Sequence, residues 1–132
     1  MVPLSPLLAP AWVRRIPGMY GLLARNYISA ELRRRNAADV AGEWNTPATP
    51  SYNQVSAVLG ILADQCNWPC SLFIPRDAMR VILWNYDYDL APVDAFLLLS
   101  QSGLISEAFD AVYARAVHQT CGDFMAREVI LA

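Results

Sequence analysis

Every cysteine and the only histidine of this sequence fall into two close pairs, Cys66-x3-Cys70 and His118-x2-Cys121. Three thiols and one imidazole are the donor set of a structural zinc site, since thiolate sulfurs and an imidazole nitrogen together satisfy a tetrahedral ion. The same residues admit a reversible Cys66–Cys70 disulfide. They also admit a Cys121–His118 nucleophile and base, provided the surroundings hold the thiol as thiolate. Against these readings, zinc knuckles favour a two-residue spacing with a glycine turn, whereas Cys66 falls on the apolar face of a helix and Pro69 precedes Cys70. Cysteine is also among the most buried residue types, so inert core thiols are the expectation, and no metal, cofactor or catalytic residue is assigned.

The carboxylates raise a second possibility. Asn85, Asp87 and Asp89 fit positions one, three and five of a calcium-binding loop, but Leu90 stands where the turn needs glycine and Phe96 where a bidentate glutamate should close it. Asp77, Asp87, Asp89 and Asp94 are therefore expected as solvated carboxylates capping helices near Arg76 and Arg80. All ten basic residues are arginine, which removes Schiff-base, phosphate-loop and general-base lysines. The six glycines form neither of the nucleotide-cradling loop patterns.

Whatever these groups do, helices must position them. Hydrophobic residues are 55% and charged ones 17% of 132, so the chain must bury a single core or offer a partner an apolar face. Residues 1–44 read as a proline-rich arm, with Pro3, Pro6 and Pro10, followed by a basic helix from Pro17 to about residue 42. On that helix Met19, Tyr20, Leu23, Tyr27 and Ala30 share one side, and Arg25 and Arg33 another. Residues 45–50, with Pro47 and Pro50, read as a linker. Residues 51–132 read as the helical core.

Within that core Ser51 and Gln54 form a capping-box pair, and Val55, Val58, Leu59, Leu62 and Cys66 recur at helical spacing up to a stop near Asn67. The segment 68–75 is extended and buried, with a strand at Leu72–Ile74 as the rival reading. A short helix follows over 76–84. Pro92 opens the next and Gly103 closes it, Ser106 caps another, and Gly122 separates that from a last helix over 123–131. The predicted fold is all-α, a compact bundle of four to five helices with an extended arm, one domain overall.

From Val55 to Val112 the order of elements resembles acyl carrier proteins, through Ile61-Leu62-Ala63-Asp64-Gln65, Ile74-Pro75-Arg76-Asp77, Asp87-Tyr88-Asp89-Leu90, the run Val93–Leu99, and Gly103-Leu104-Ile105. Carrier proteins bear an Asp-Ser-Leu whose serine takes the phosphopantetheine arm. Here Asp87-Tyr88-Asp89-Leu90 has no serine, so the resemblance implies at most a degenerate carrier-like domain.

Function is expected to lie in association. Residues 1–43 hold six arginines against Glu31, Asp39 and Glu43, while the remainder holds four against nine acids. That excess is too small for a nucleic-acid partner. Trp12, Arg14, Arg15, Tyr20, Arg25 and Tyr27 combine the residue types enriched at interface centres. They point to a small non-catalytic interaction or adaptor protein with a protein partner or a second copy of itself, with Trp44 flanking the contact surface. A small enzyme using Cys121 and His118 is the competing class. Leu4, Leu7, Leu8 and Trp12 beside arginines also allow contact with an anionic membrane surface, although packing on the chain's own body or a partner is the stronger expectation. Three cysteines and the lack of a spanning segment or positive leader place the chain in the cytoplasm.

Overall fold

The computed structural model describes residues 2–5, 20–83, 91–106 and 108–130. Among them are seven helices: α1 (Tyr20–Arg34), α2 (Ala37–Glu43), α3 (Tyr52–Gln65), α4 (Met79–Ile82), α5 (Ala91–Gln101), α6 (Phe109–Ala116) and α7 (Cys121–Arg127). The class is all-α, with more and shorter helices than the four to five expected. The extended segment at Leu72–Ile74 pairs with no strand. Among the described residues the β-type pairing is one isolated bridge between Ala78 and Thr120.

The expected single basic helix is two. Arg35 leaves the helical path, and Asn36 restarts it by accepting the Asp39 backbone N–H at 2.8 Å, which satisfies a first-turn donor of α2. The inward face of α1 also differs from the sequence reading. Arg25, Ile28, Leu32 and Arg35 are buried at spacings of three and four, whereas Tyr27 is turned outward.

The strongest helix signal holds. Gln54 accepts from the Ser51 backbone N–H at 3.0 Å, and Val55, Val58, Leu59, Leu62 and Cys66 are all buried. The end of α3 is a Schellman turn, in which Asn67 takes φ 59° and the Trp68 N–H bonds the Ala63 carbonyl at 2.9 Å. Asparagine is the side chain that best tolerates that backbone after glycine, which is why the helix stops there.

One core joins all these elements. α3 packs on α5 and α5 on α6. Phe96 meets Tyr113 and Phe124 edge-on, with centroids 5.5 and 5.7 Å apart, and so links α5 to α6 and α7. Ile28, Leu32, Val40 and Trp44 belong to the same buried cluster, as does Leu4. The described residues before residue 45 thus share one core with the 51–132 body. The stretch after Trp44 is a tight turn in which Thr49 Oγ1 donates to the Trp44 carbonyl at 3.0 Å. Trp44, expected beside a contact surface, is fully buried and donates its indole N–H to the Phe73 carbonyl at 2.9 Å.

Two further local readings change. Ala108, not Ser106, holds the N-cap position of α6 and gives no side-chain cap. Gly122 does not separate helices but sits in the first turn of α7, capped by Thr120. A Cβ there would lie 2.8 Å from Pro75 Cβ and 3.3 Å from Pro75 Cα, so the residue is glycine because the backbone of the 74–78 loop passes against it.

Candidate functional site

The cysteine–histidine constellation is dispersed among different environments. Cys66 is buried at the end of α3, Cys70 is half-buried with Sγ 3.7 Å from the Leu32 carbonyl, and Cys121 is fully buried. His118 is exposed and lines an open depression of about 330 Å³ together with Arg80, Gln119, Thr120 and Asp123, but without Cys121. Burial in apolar surroundings pushes the Cys121 thiol well above its ordinary range; the nearby Asp77 carboxylate pushes the same way, and Arg35 opposes both. A neutral, enclosed thiol is not an attacking group. Among the described residues no group of three or more metal-binding side chains converges.

The chemistry that is concentrated is an ion pair. Asp77, expected as a solvated carboxylate near Arg76 and Arg80, is wholly buried, and its partner is Arg35. Arg35 Nη1 reaches Asp77 Oδ2 at 2.7 Å and Nη2 reaches Oδ1 at 2.9 Å, a bidentate fork. The remaining carboxylate lone pairs accept the backbone N–H of Leu4 at 2.8 Å and of Ile74 at 2.9 Å. Arg35 also donates to the carbonyls of Leu72 at 2.9 Å and Val2 at 2.8 Å, and Glu31 approaches its Nε at 3.8 Å. Both charges are thus compensated, the condition under which a buried pair survives.

That pair positions the arm. Leu4 is fully buried, and besides its bond to Asp77 its carbonyl accepts the Ala78 N–H at 3.0 Å. The same loop then closes α7, whose first donors, the N–H groups of Cys121 and Gly122, reach the carbonyls of Asp77 at 2.7 Å and Pro75 at 2.9 Å. The sequence marks Asp77 only as a solvated carboxylate and does not single out Arg35, because their link spans 42 positions and each resembles an ordinary surface charge. The available signal was the spacing of Arg35 from Ile28 and Leu32, which puts it on the inward stripe of α1.

The expected contact residues divide. Trp12, Arg14 and Arg15 lie outside the described residues, and Tyr20 opens α1. Arg25 is not a surface group. Its guanidinium stacks 3.8 Å from the centroid of Trp68 and donates to the Cys66 and Asn67 carbonyls at 3.0 and 2.9 Å, placing positive charge at the C-terminus of α3. Tyr27 is exposed, and with Asn26, Arg33 and Arg34 it forms the outward stripe of α1. Arg34, with a side chain 74% exposed, reaches Glu31 at 3.8 Å. Leu97 and Leu98 are also exposed, on α5.

Of the loop 85–90 that carries the calcium-like spacing and the carrier-like Asp-Tyr-Asp-Leu, every residue lies outside the described ones. No helix among the described residues is long and apolar enough to cross a membrane. Comparison with protein-family models, curated proteins and solved structures finds no match to this chain.

Proposed function

We propose that the chain is a non-catalytic interaction protein that associates with a second copy of itself through the outward face of α1. The observation that carries this reading is the stripe Asn26, Tyr27, Arg33 and Arg34, in which an exposed aromatic and, two turns on, two exposed arginines share one side of a helix whose other face is locked into the core. Tyrosine and arginine are the types that most often anchor interfaces, because each combines a large contact area with directed hydrogen bonding. A rigid helix also presents them with little ordering cost.

Charge favours a second copy as the partner. After residue 44 the sequence carries nine acids against four arginines, and Asp64, Asp94, Asp110 and Asp123 are exposed among exposed Arg76, Arg80, Arg115 and Arg127, so the net charge of that part, rather than one acidic patch, complements the basic stripe of another copy. The enzyme alternative loses support with the burial of Cys121 and the exposure of His118, since a nucleophile and base must share an accessible pocket. Light scattering of the full chain at low and high salt tests the proposal. Association that weakens with salt and disappears on charge reversal at Arg33 and Arg34 supports it, and a monomer at every concentration refutes it.

A further inference from the structure

We propose that the depression lined by His118 is a binding site for a small phosphate ester, whose phosphate is taken by Arg80, His118 and Thr120 and whose neighbouring hydroxyl is taken by Asp123. The proposal does not depend on the α1 contact.

The backbone explains why these side chains meet. The bridge between Ala78 and Thr120 is flanked by two bonds, from the Cys121 N–H to the Asp77 carbonyl at 2.7 Å and from the Met79 N–H to the Gln119 carbonyl at 3.0 Å. In paired extended backbone successive side chains point to opposite sides. Asp77, Met79 and Cys121 take the inner side and are fully buried, while Ala78, Arg80, His118 and Thr120 take the other and line one depression of about 330 Å³. Ala78 brings only a methyl group to it. The inner side of the bridge is fixed to the core by the Arg35 fork on Asp77, so the backbone that carries the depression is held in place before any ligand arrives.

Three of the lining side chains bring hydrogen-bond donors. Among the described residues the Arg80 guanidinium and the His118 imidazole have no hydrogen-bond or ion-pair partner in the protein. Thr120 Oγ1 accepts the Asp123 N–H at 3.2 Å, which leaves its hydroxyl hydrogen to donate. A guanidinium, an imidazole N–H and a hydroxyl in one concavity are complementary to a tetrahedral oxyanion, and the arginine makes its bonds charge-assisted. Asp123, which lines the same depression, stands against a bare anion, because like charges repel. The same carboxylate accepts from a hydroxyl, so the set fits an anion that carries its own donor. A phosphate ester of a short polyol has that combination, and a depression of this size admits one.

Two-dimensional NMR of the full chain, recording backbone amides together with the Arg80 Nε–H and the His118 ring, tests this with glycerol phosphate, inorganic phosphate and glycerol at matched ionic strength. The expected result is a saturable shift of these signals and of the Thr120 amide with millimolar glycerol phosphate, a severalfold weaker response to inorganic phosphate, and none to glycerol. Arg80→Gln and His118→Gln should each weaken glycerol phosphate binding about tenfold, and Asp123→Ala should remove the preference over inorganic phosphate. All three side chains are exposed, so the spectra should keep their dispersion and report the lost ligand contact alone. No saturable shift with glycerol phosphate overturns the site, as do shifts that survive both Arg80→Gln and His118→Gln. Equal affinity for the two phosphates in the unaltered chain overturns the ester assignment.

Discussion

Leu4 donates its backbone N–H to Asp77 Oδ1 at 2.8 Å, tying an extended arm to a carboxylate 73 positions along the chain. Arg35 balances the charge of the same carboxylate through both of its oxygens. Arm, basic helix and C-terminal half therefore share one charged centre inside the core.

Removing one member of the pair should be costly. Arg35→Met leaves the Asp77 carboxylate buried without its counter-charge, for which a loss of roughly 3–5 kcal/mol is expected. Urea unfolding should show this as a lower midpoint with an unchanged slope. The double variant Arg35→Met, Asp77→Leu should recover part of the loss, because the remaining side chains carry no charge. A loss under about 1 kcal/mol in the single variant would mean the pair is solvated in solution.

Deleting residues 1–43 should unfold the remainder. The deletion strips Ile28, Leu32 and Val40 from the shared core and removes the counter-charge of Asp77. The fragment should show poor chemical-shift dispersion by NMR and no cooperative thermal transition. A well-dispersed spectrum would mean that residues 44–132 hold a core of their own.

The glycines separate packing from propensity. Gly122→Ala should destabilise, since its Cβ would press on Pro75 at 2.8 Å, whereas a Cβ on Gly60 meets nothing within 4 Å inside α3. Gly60→Ala should instead stabilise by about 0.4–1 kcal/mol through helix propensity and unfolded-state entropy. Thermal melts of the two variants should move in opposite directions.

What could be read from the sequence depended on how far apart the deciding residues lie. The span and inward face of α3 were legible because Ser51, Gln54 and the apolar repeat act within a few residues of one another, and Gly103 marked the end of α5 for the same local reason. The break after Arg34 was hidden in a run of three arginines, all good helix formers, which shows neither the restart at Asn36 nor the pairing of Arg35 with Asp77. Gly122 looked like a helix boundary because its true reason is Pro75, across the core. The zinc-like donor set was visible as spacing, yet Cys121 turned inward and His118 outward. Of the contact candidates, Tyr27 reached the surface and Arg25 went to the end of α3.

Acid should erase one stabilising contact. Arg115 binds Glu128 through two nitrogens, with contacts as short as 2.6 Å, and its hydrogen bonds hold the Glu128 carboxyl below the usual range. A depressed folded-state pKa contributes stability above the unfolded-state pKa and loses it as pH falls through the folded value. Because the Arg115 side chain is 42% exposed, solvent screening limits the effect. Arg115→Met should thus cost about 0.5–1 kcal/mol at neutral pH, with the gap to the unaltered chain closing as Glu128 protonates. A gap that persists at acid pH would point to lost packing of the arginine stem.

Self-association through the outward face of α1 is tested most directly by sedimentation velocity of the full chain over a range of concentration, beside the triple variant Tyr27→Ala, Arg33→Glu, Arg34→Glu. These side chains lie on the exposed stripe, so circular dichroism should confirm that the fold is kept. The unaltered chain should move from monomer to dimer as concentration rises, more weakly at high salt, while the variant stays monomeric throughout. A folded variant that dimerises as well as the unaltered chain, or an unaltered chain that remains a monomer at every concentration, would contradict the account.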